Sequence, residues 1–154
     1  MDRRWILRVL GAAAVIVPVA NRKADAYEKS SERHHRLAIH VDVNDPEVMK
    51  LALNNARNCN ELYTAAGEQV AIEIVAYSQG LHMLRDDTSP VKEEIRALRE
   101  KVPQVAFGAC NNTKKGMEKR EGKTITLIPE ATLVPAGIVR LVELQELGYK
   151  YIKP

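Results

Sequence analysis

Aromatic residues make up only 5% of this 154-residue chain, with one tryptophan and one phenylalanine. So few stacking side chains, in a chain whose formal charge is only +3, argue against a nucleic-acid binder. Cysteine is scarcer still: two residues, Cys59 and Cys110, cannot staple a disulfide scaffold. Eight glycines and seven prolines are too few for a collagenous or low-complexity chain. The phosphate-cradling patterns G-x-G-x-x-G and G-x-x-x-x-G-K-[ST] are missing, as are G-x-S-x-G and H-E-x-x-H. What remains is 45% hydrophobic and 28% charged, the balance of a single globular domain.

The charge is unevenly spread. Residues 1–26 carry five basic and two acidic side chains, which leaves eighteen of each sign in the rest. The segment has the layout of an export signal: arginines at the start, an apolar run from Val9 to Ala20, then Ala24-Asp25-Ala26 as an A-x-A cleavage site. Twelve apolar residues fall short of the roughly 20 needed to span a bilayer, so no stable membrane insertion is expected after cleavage. The run "RRWILR" resembles a twin-arginine signal, with Asp2 as a departure. The mature chain would then start at Tyr27 in the periplasm or another exported location, with a polar leader over 27–35. The 128 residues left can fill one core.

Beyond the leader, apolar β-branched segments alternate with amphipathic ones. Strands are predicted at 36–43, 70–78, 104–110, 124–129 and 149–153. Asp45-Pro46 marks a helix start, as cap and first-turn proline, and Ser89-Pro90 another. The first helix is expected to bury Val48, Leu51, Ala52, Ala56, Cys59, Leu62, Tyr63 and Ala66, and the second Val91, Ile95, Leu98 and Val102. A polar helix spans 112–122, and a last one after Pro135 turns Ile138, Leu141, Val142 and Gln145 inward. Strands apolar on both faces, alternating with helices, imply a three-layer α/β/α sandwich around a five-stranded, mainly parallel sheet.

Ligands of such sheets sit beyond the carboxyl ends of the strands. Cys110 ends the third predicted strand and precedes a helix. Its thiol would face unpaired N–H groups and the positive end of the dipole, which favour thiolate. Asn111, Asn112 and Thr113 form the turn there, and Lys114 and Lys115 add positive potential. The competing reading is a small buried hydrophobe. Cys59 lies 13 residues past Pro46, roughly 20 Å along its helix and away from that edge, so no disulfide to Cys110 is expected. His34-His35 reads as a solvated pair and His40 as a satisfied core histidine. His82 and Met83 could approach Cys110, but no closely spaced ligand pair exists, so neither metal nor cofactor is expected.

The elements "FGACNNTKKGM", "VAYSQGLHML" and "LVPAGIVRLVELQELGYKYIKP" together resemble the DsrE/DsrF-like proteins over most of 36–154. That resemblance implies a flavodoxin-like sandwich of five parallel strands, assembled as a homo-oligomer (trimer or hexamer). In sulfur-trafficking members the cysteine after this strand carries a persulfide between a donor and an acceptor protein. Cys110 occupies the matching position, with Asn111, Asn112 and Thr113 shaping its pocket. Two functions are therefore expected to compete: a sulfurtransferase-like persulfide carrier, or a non-catalytic oligomeric envelope module binding a small ligand, protein or soft metal.

Overall fold

The computed structural model describes residues 34–154; the expected signal segment 1–26 and most of the leader lie outside the described residues. The elements run β1 (His34–Val41), α1 (Pro46–Ala65), β2 (Gln69–Ala76), a 3₁₀ segment (Ser78–Leu84), α2 (Lys92–Lys101), β3 (Ala106–Cys110), α3 (Asn111–Glu121), β4 (Ala131–Val134), α4 (Gly137–Glu146) and β5 (Lys150–Ile152). All four strand pairings are parallel, in the order β4-β3-β2-β1-β5. The α/β sandwich is as expected. Its strand order is not the 2-1-3-4-5 of flavodoxin itself.

That order explains the layers. The chain steps from β1 to β4 in one direction, and right-handed crossovers then put every connecting helix on one face. The return from β4 across the whole sheet to β5 reverses direction, so α4 must lie on the other face. The cores agree. Met49, Ala52 and Leu53 of α1, Ile95 and Leu98 of α2 and Met117 of α3 share one cluster with Ile39, Ile74 and Phe107. Leu141 and Leu144 of α4 pack separately on Ala38 and Val75. Three helices cover one face and a single helix the other. Among the described residues no helix is long and apolar enough to cross a membrane.

Local chemistry sets the element ends. The Asp45 carboxylate accepts the Glu47 N–H at 2.9 Å and Pro46 occupies the first turn of α1, as the sequence predicts. Gly80 lets the 3₁₀ segment cross directly over β1, because a Cβ there would sit 2.2 Å from the Val41 carbonyl oxygen.

Several expectations are corrected. The fourth strand is Ala131–Val134, not 124–129. "TITLIP" has the stronger β propensity, but it is a strap: Ile125 and Ile128 plug the core while Leu127 bridges antiparallel to Arg85. On α1 the buried residues are Met49, Ala52, Leu53 and Ala56, whereas Leu51 and Leu62 are exposed. The helix packs on β1, β2 and α2 at once, and that second neighbour rotates the buried arc. On α4 the buried residues are Gly137, Leu141 and Leu144, while Ile138 and Val142 face outward, 58% and 48% exposed. Two apolar stripes share this helix and the sheet has room for one. His35 is not solvated either: it stacks on Tyr63 and its Nε2 lies 2.6 Å from a Glu68 oxygen.

Candidate functional site

The helices after β3 and β4 go to opposite faces, so the crevice between these two strands is the topological switch point of the sheet. Cys110 is the last residue of β3 and pairs with Val134, the last of β4. It also caps α3, its Sγ accepting the Thr113 N–H at 3.4 Å. The amino terminus of α4 arrives from the other side, and the N–H groups of Gly137 and Asn112 add to the positive field at the sulfur, behind Thr113 in effect. The Asn112 N–H additionally meets the Pro135 carbonyl at 3.3 Å, tying the two helix starts together.

These donors decide the charge on the sulfur. Burial pushes the thiol upward, for Cys110 is only 4% exposed. The Thr113 hydroxyl and the Thr113, Gly137 and Asn112 N–H groups pull it down, and they prevail, so its pKa lies below the ordinary cysteine value. The Thr113 oxygen accepts the Ser78 N–H at 3.1 Å, which leaves the hydroxyl proton for the sulfur. Ser78, at φ 52°, is the one non-glycine with positive φ among the described residues. Backbone strain of this kind costs about 1–3 kcal/mol and persists where surroundings enforce it. Cys59, half-buried near the amino ends of the strands, is raised by burial instead. Both cysteines are free.

The other expected site residues divide. Asn111 and Thr113 are half-buried in the turn and Asn112 is exposed. Lys114 turns down its helix to Glu118 at 2.5 Å, and Lys115 points to solvent. Backbone and hydroxyl donors, rather than lysines, therefore hold the sulfur. His82 and Met83 are not brought to it. His82 bonds Thr88, and Met83 is in the core of the three-helix face. Among the described residues no cluster of three or more His, Cys, Asp or Glu could hold a metal ion.

Sequence reasoning missed the polar row beside Cys110. Val41 pairs with Ala76 and Ala76 with Ala109, so the next residues, Asp42, Tyr77 and Cys110, stand side by side on the α4 face. His40 lies one step below, 5% exposed, stacked on Tyr77 with ring centroids 4.6 Å apart. Its Nδ1 is 2.8 Å from the Tyr151 hydroxyl, but its Nε2, 3.8 Å from Asp42 Oδ2, has no hydrogen-bond partner. The expected satisfied histidine is thus only half satisfied. Lys153 bonds Asp42 at 2.7 Å, and Arg140 of α4 grips the buried Glu73 at 2.7 and 2.8 Å. The period-2 spacing of His40 and Asp42 was the available signal; their neighbours on β2 and β5 are legible only once strand order is known.

A cleft of about 830 Å³ opens at the other edge of the sheet, around His35, Asn60, Glu68 and Tyr149. It lies away from the switch point and from both helix starts.

No protein-family model matches the sequence, and no curated protein does. Among solved structures, that of the "Protein of Unknown Function MTH1491 from Methanobacterium thermoautotrophicum" is similar, with a TM-score of 0.65 and 32% identity. The alignment covers 78% of this chain and 99% of that one.

Proposed function

The chain belongs to one family with MTH1491, and because that kinship names no activity, we propose one from the site: Cys110 is the carrier cysteine of a DsrE/DsrF-like persulfide relay. The observation that carries this reading is the convergence of two helix starts and the Thr113 hydroxyl on a single sulfur at the switch point. The A-C-x-N-T element and the terminal G-Y-x-Y-I-K-P support the family assignment.

The step needs no cofactor. The Cys110 thiolate attacks the sulfane sulfur of a donor persulfide, the donor S–S bond breaks, and the donor leaves as a thiolate with the electron pair. Cys110 then bears a persulfide anion in the place its donors held for thiolate. An acceptor thiolate attacks the outer sulfur, takes it, and regenerates the Cys110 thiolate; sulfur moves and nothing is oxidised overall. At 4% exposure Cys110 is reached by a sulfane sulfur only if its surroundings open. That same burial favours the second reading, a non-catalytic envelope binder in which Cys110 is a structural cap.

Intact mass after incubation with a sulfane donor separates them. The carrier gains one sulfur atom, and Cys110→Ser gains none. Absence of any adduct on the folded protein leaves the binder.

Two further features belong to the proposal. The protein is a homo-oligomer, trimer or hexamer, supported by Ile138, Val139 and Val142 facing solvent on α4 and by Tyr151, half-exposed on the same face of β5. It is exported, supported by the charge, apolar and A-x-A layout of residues 1–26. Envelope material should begin at Tyr27; protein retained in the cytoplasm from Met1 contradicts export.

A further inference from the structure

We propose that Tyr77 is a positioning residue for Cys110, held in place by His40, so that the Tyr77–Ser78 dipeptide sets the alignment of the donors that stabilise the thiolate. The inference rests on Cys110 as the reactive residue and gives Tyr77 and Ser78 roles in holding its surroundings.

The geometry has two arms. The first is the base of the Tyr77 side chain, which packs against Gly137: a Cβ on Gly137 would fall 2.7 Å from Tyr77 Cδ1, 2.8 Å from its Cβ and 3.0 Å from its Cγ. Gly137 is the residue whose N–H adds to the field at Cys110 Sγ from α4. This contact therefore fixes how closely the amino terminus of α4 approaches the sulfur. The second arm is the next peptide. The Ser78 N–H donates to Thr113 Oγ1 at 3.1 Å and thereby orients the hydroxyl toward the same sulfur. One dipeptide at the end of β2 thus bears on two donors from two different helices. Hydrogen bonds weaken steeply with misalignment, so small shifts of either arm change thiolate stability.

Tyr77 is itself clamped. Its N–H donates to the Val41 carbonyl at 3.2 Å. Its outer face is covered by the His40 imidazole at an interplanar angle of 16°, and His40 is in turn bound through Nδ1 to Tyr151 of β5. The left-handed Ser78 follows directly. A positive φ at a non-glycine residue, between a stacked ring and a donated N–H, is strain that this alignment accounts for. The contact with Gly137 is made by the Tyr77 Cβ, Cγ and Cδ1, at the end of the side chain away from the phenol oxygen.

The test is the titration of the Cys110 thiol in the full chain, from the pH dependence of its iodoacetamide rate followed at the Cys110 peptide by mass spectrometry. Tyr77→Phe keeps the ring and should keep the wild-type profile. Tyr77→Ala should move the profile to higher pH and slow alkylation at pH 7 by about threefold or more. Gly137→Ala, which drives a Cβ against Tyr77, should do the same in wild type and by a smaller factor in the Tyr77→Ala background, where the contacts with Cγ and Cδ1 are gone and only that with the Tyr77 Cβ remains. A residue needed only for folding would lower stability without this coupling. If Tyr77→Ala does not fold, Tyr77→Leu takes its place in the cycle, filling volume without a plane. A wild-type profile in folded Tyr77→Ala or Tyr77→Leu, or an equal Gly137→Ala shift in both backgrounds, overturns the proposal. No sulfur donor enters this measurement, so a carrier that fails to load sulfur and a Tyr77 that fails to position are told apart.

Discussion

Cys110 is first of all a helix cap. Its side chain does for α3 what serine or aspartate does elsewhere, and the same geometry delivers N–H groups to a sulfur that can hold charge. Thr113 is the donor whose removal is cleanest. Thr113→Val keeps the shape and deletes the hydroxyl, and a hydrogen bond to a charged group contributes about 1.5 kcal/mol or more. Alkylation of Cys110 at neutral pH should therefore slow by about threefold to tenfold, with little change in unfolding midpoint. His40 makes a second prediction. Burial, opposed by Asp42 and aided by Lys153, holds its pKa below the ordinary 6.5. Tyr77 and Tyr151 are the other titratable groups against it, and Asp42 is held below its own ordinary value by Lys153. The unfolded chain thus binds more protons at His40 than the folded one, so its contribution is complete above 6.5 and is lost as the pH falls through the folded value. His82, also lowered by burial, acts in the same sense. Denaturant titrations between pH 7 and 5 should show stability falling, with a shallower slope in His40→Gln; an unchanged slope contradicts a buried neutral imidazole.

Among the elements, α4 works hardest for its length. Ten residues cover one whole face of the sheet, bring an N–H to Cys110, and present a second apolar stripe outward. Its attachment is partly ionic: the buried Glu73, 7% exposed, is gripped by Arg140 beside Gly108, where a Cβ would come within 3.0 Å of the carboxylate. Removing the cation strands a buried charge, whereas removing both charges does not. Arg140→Met should cost about 3 kcal/mol in chemical unfolding. Glu73→Gln added to it should recover much of that loss. A near-zero effect of Arg140→Met alone would mean that α4 is held by Leu141 and Leu144 only. The opposite face is closed by a different device: Arg85, 1% exposed, bonds Asp87 and Glu121 and ties the end of the 3₁₀ segment to α3.

At the scale of the molecule, the asymmetry of the layers matters most. Strand order 4-3-2-1-5 leaves one face under a single helix, and that face carries Cys110, the polar row and the outward Ile138 and Val142. A surface with these exposed apolar residues is better suited to a partner than to water. Light scattering at micromolar concentration should give a mass of several protomers. Val142→Glu should reduce it toward one protomer with an unchanged circular dichroism spectrum. A wild-type particle of one protomer removes the assembly from the proposal.

Fold class, the start of α1 at Asp45-Pro46, the buried face of α2 and the position of Cys110 before a helix were all readable in the sequence. Each depends on local chemistry: a cap, a proline, a period, a strand end followed by polar residues. The tertiary structure alone decided which of two apolar stripes α4 buries, that "ATLV" rather than "TITLIP" joins the sheet, and that Tyr77, His40 and Asp42 stand beside the cysteine. Those outcomes depend on strand order and register, which pair residues 24 to 35 positions apart while every local preference stays the same.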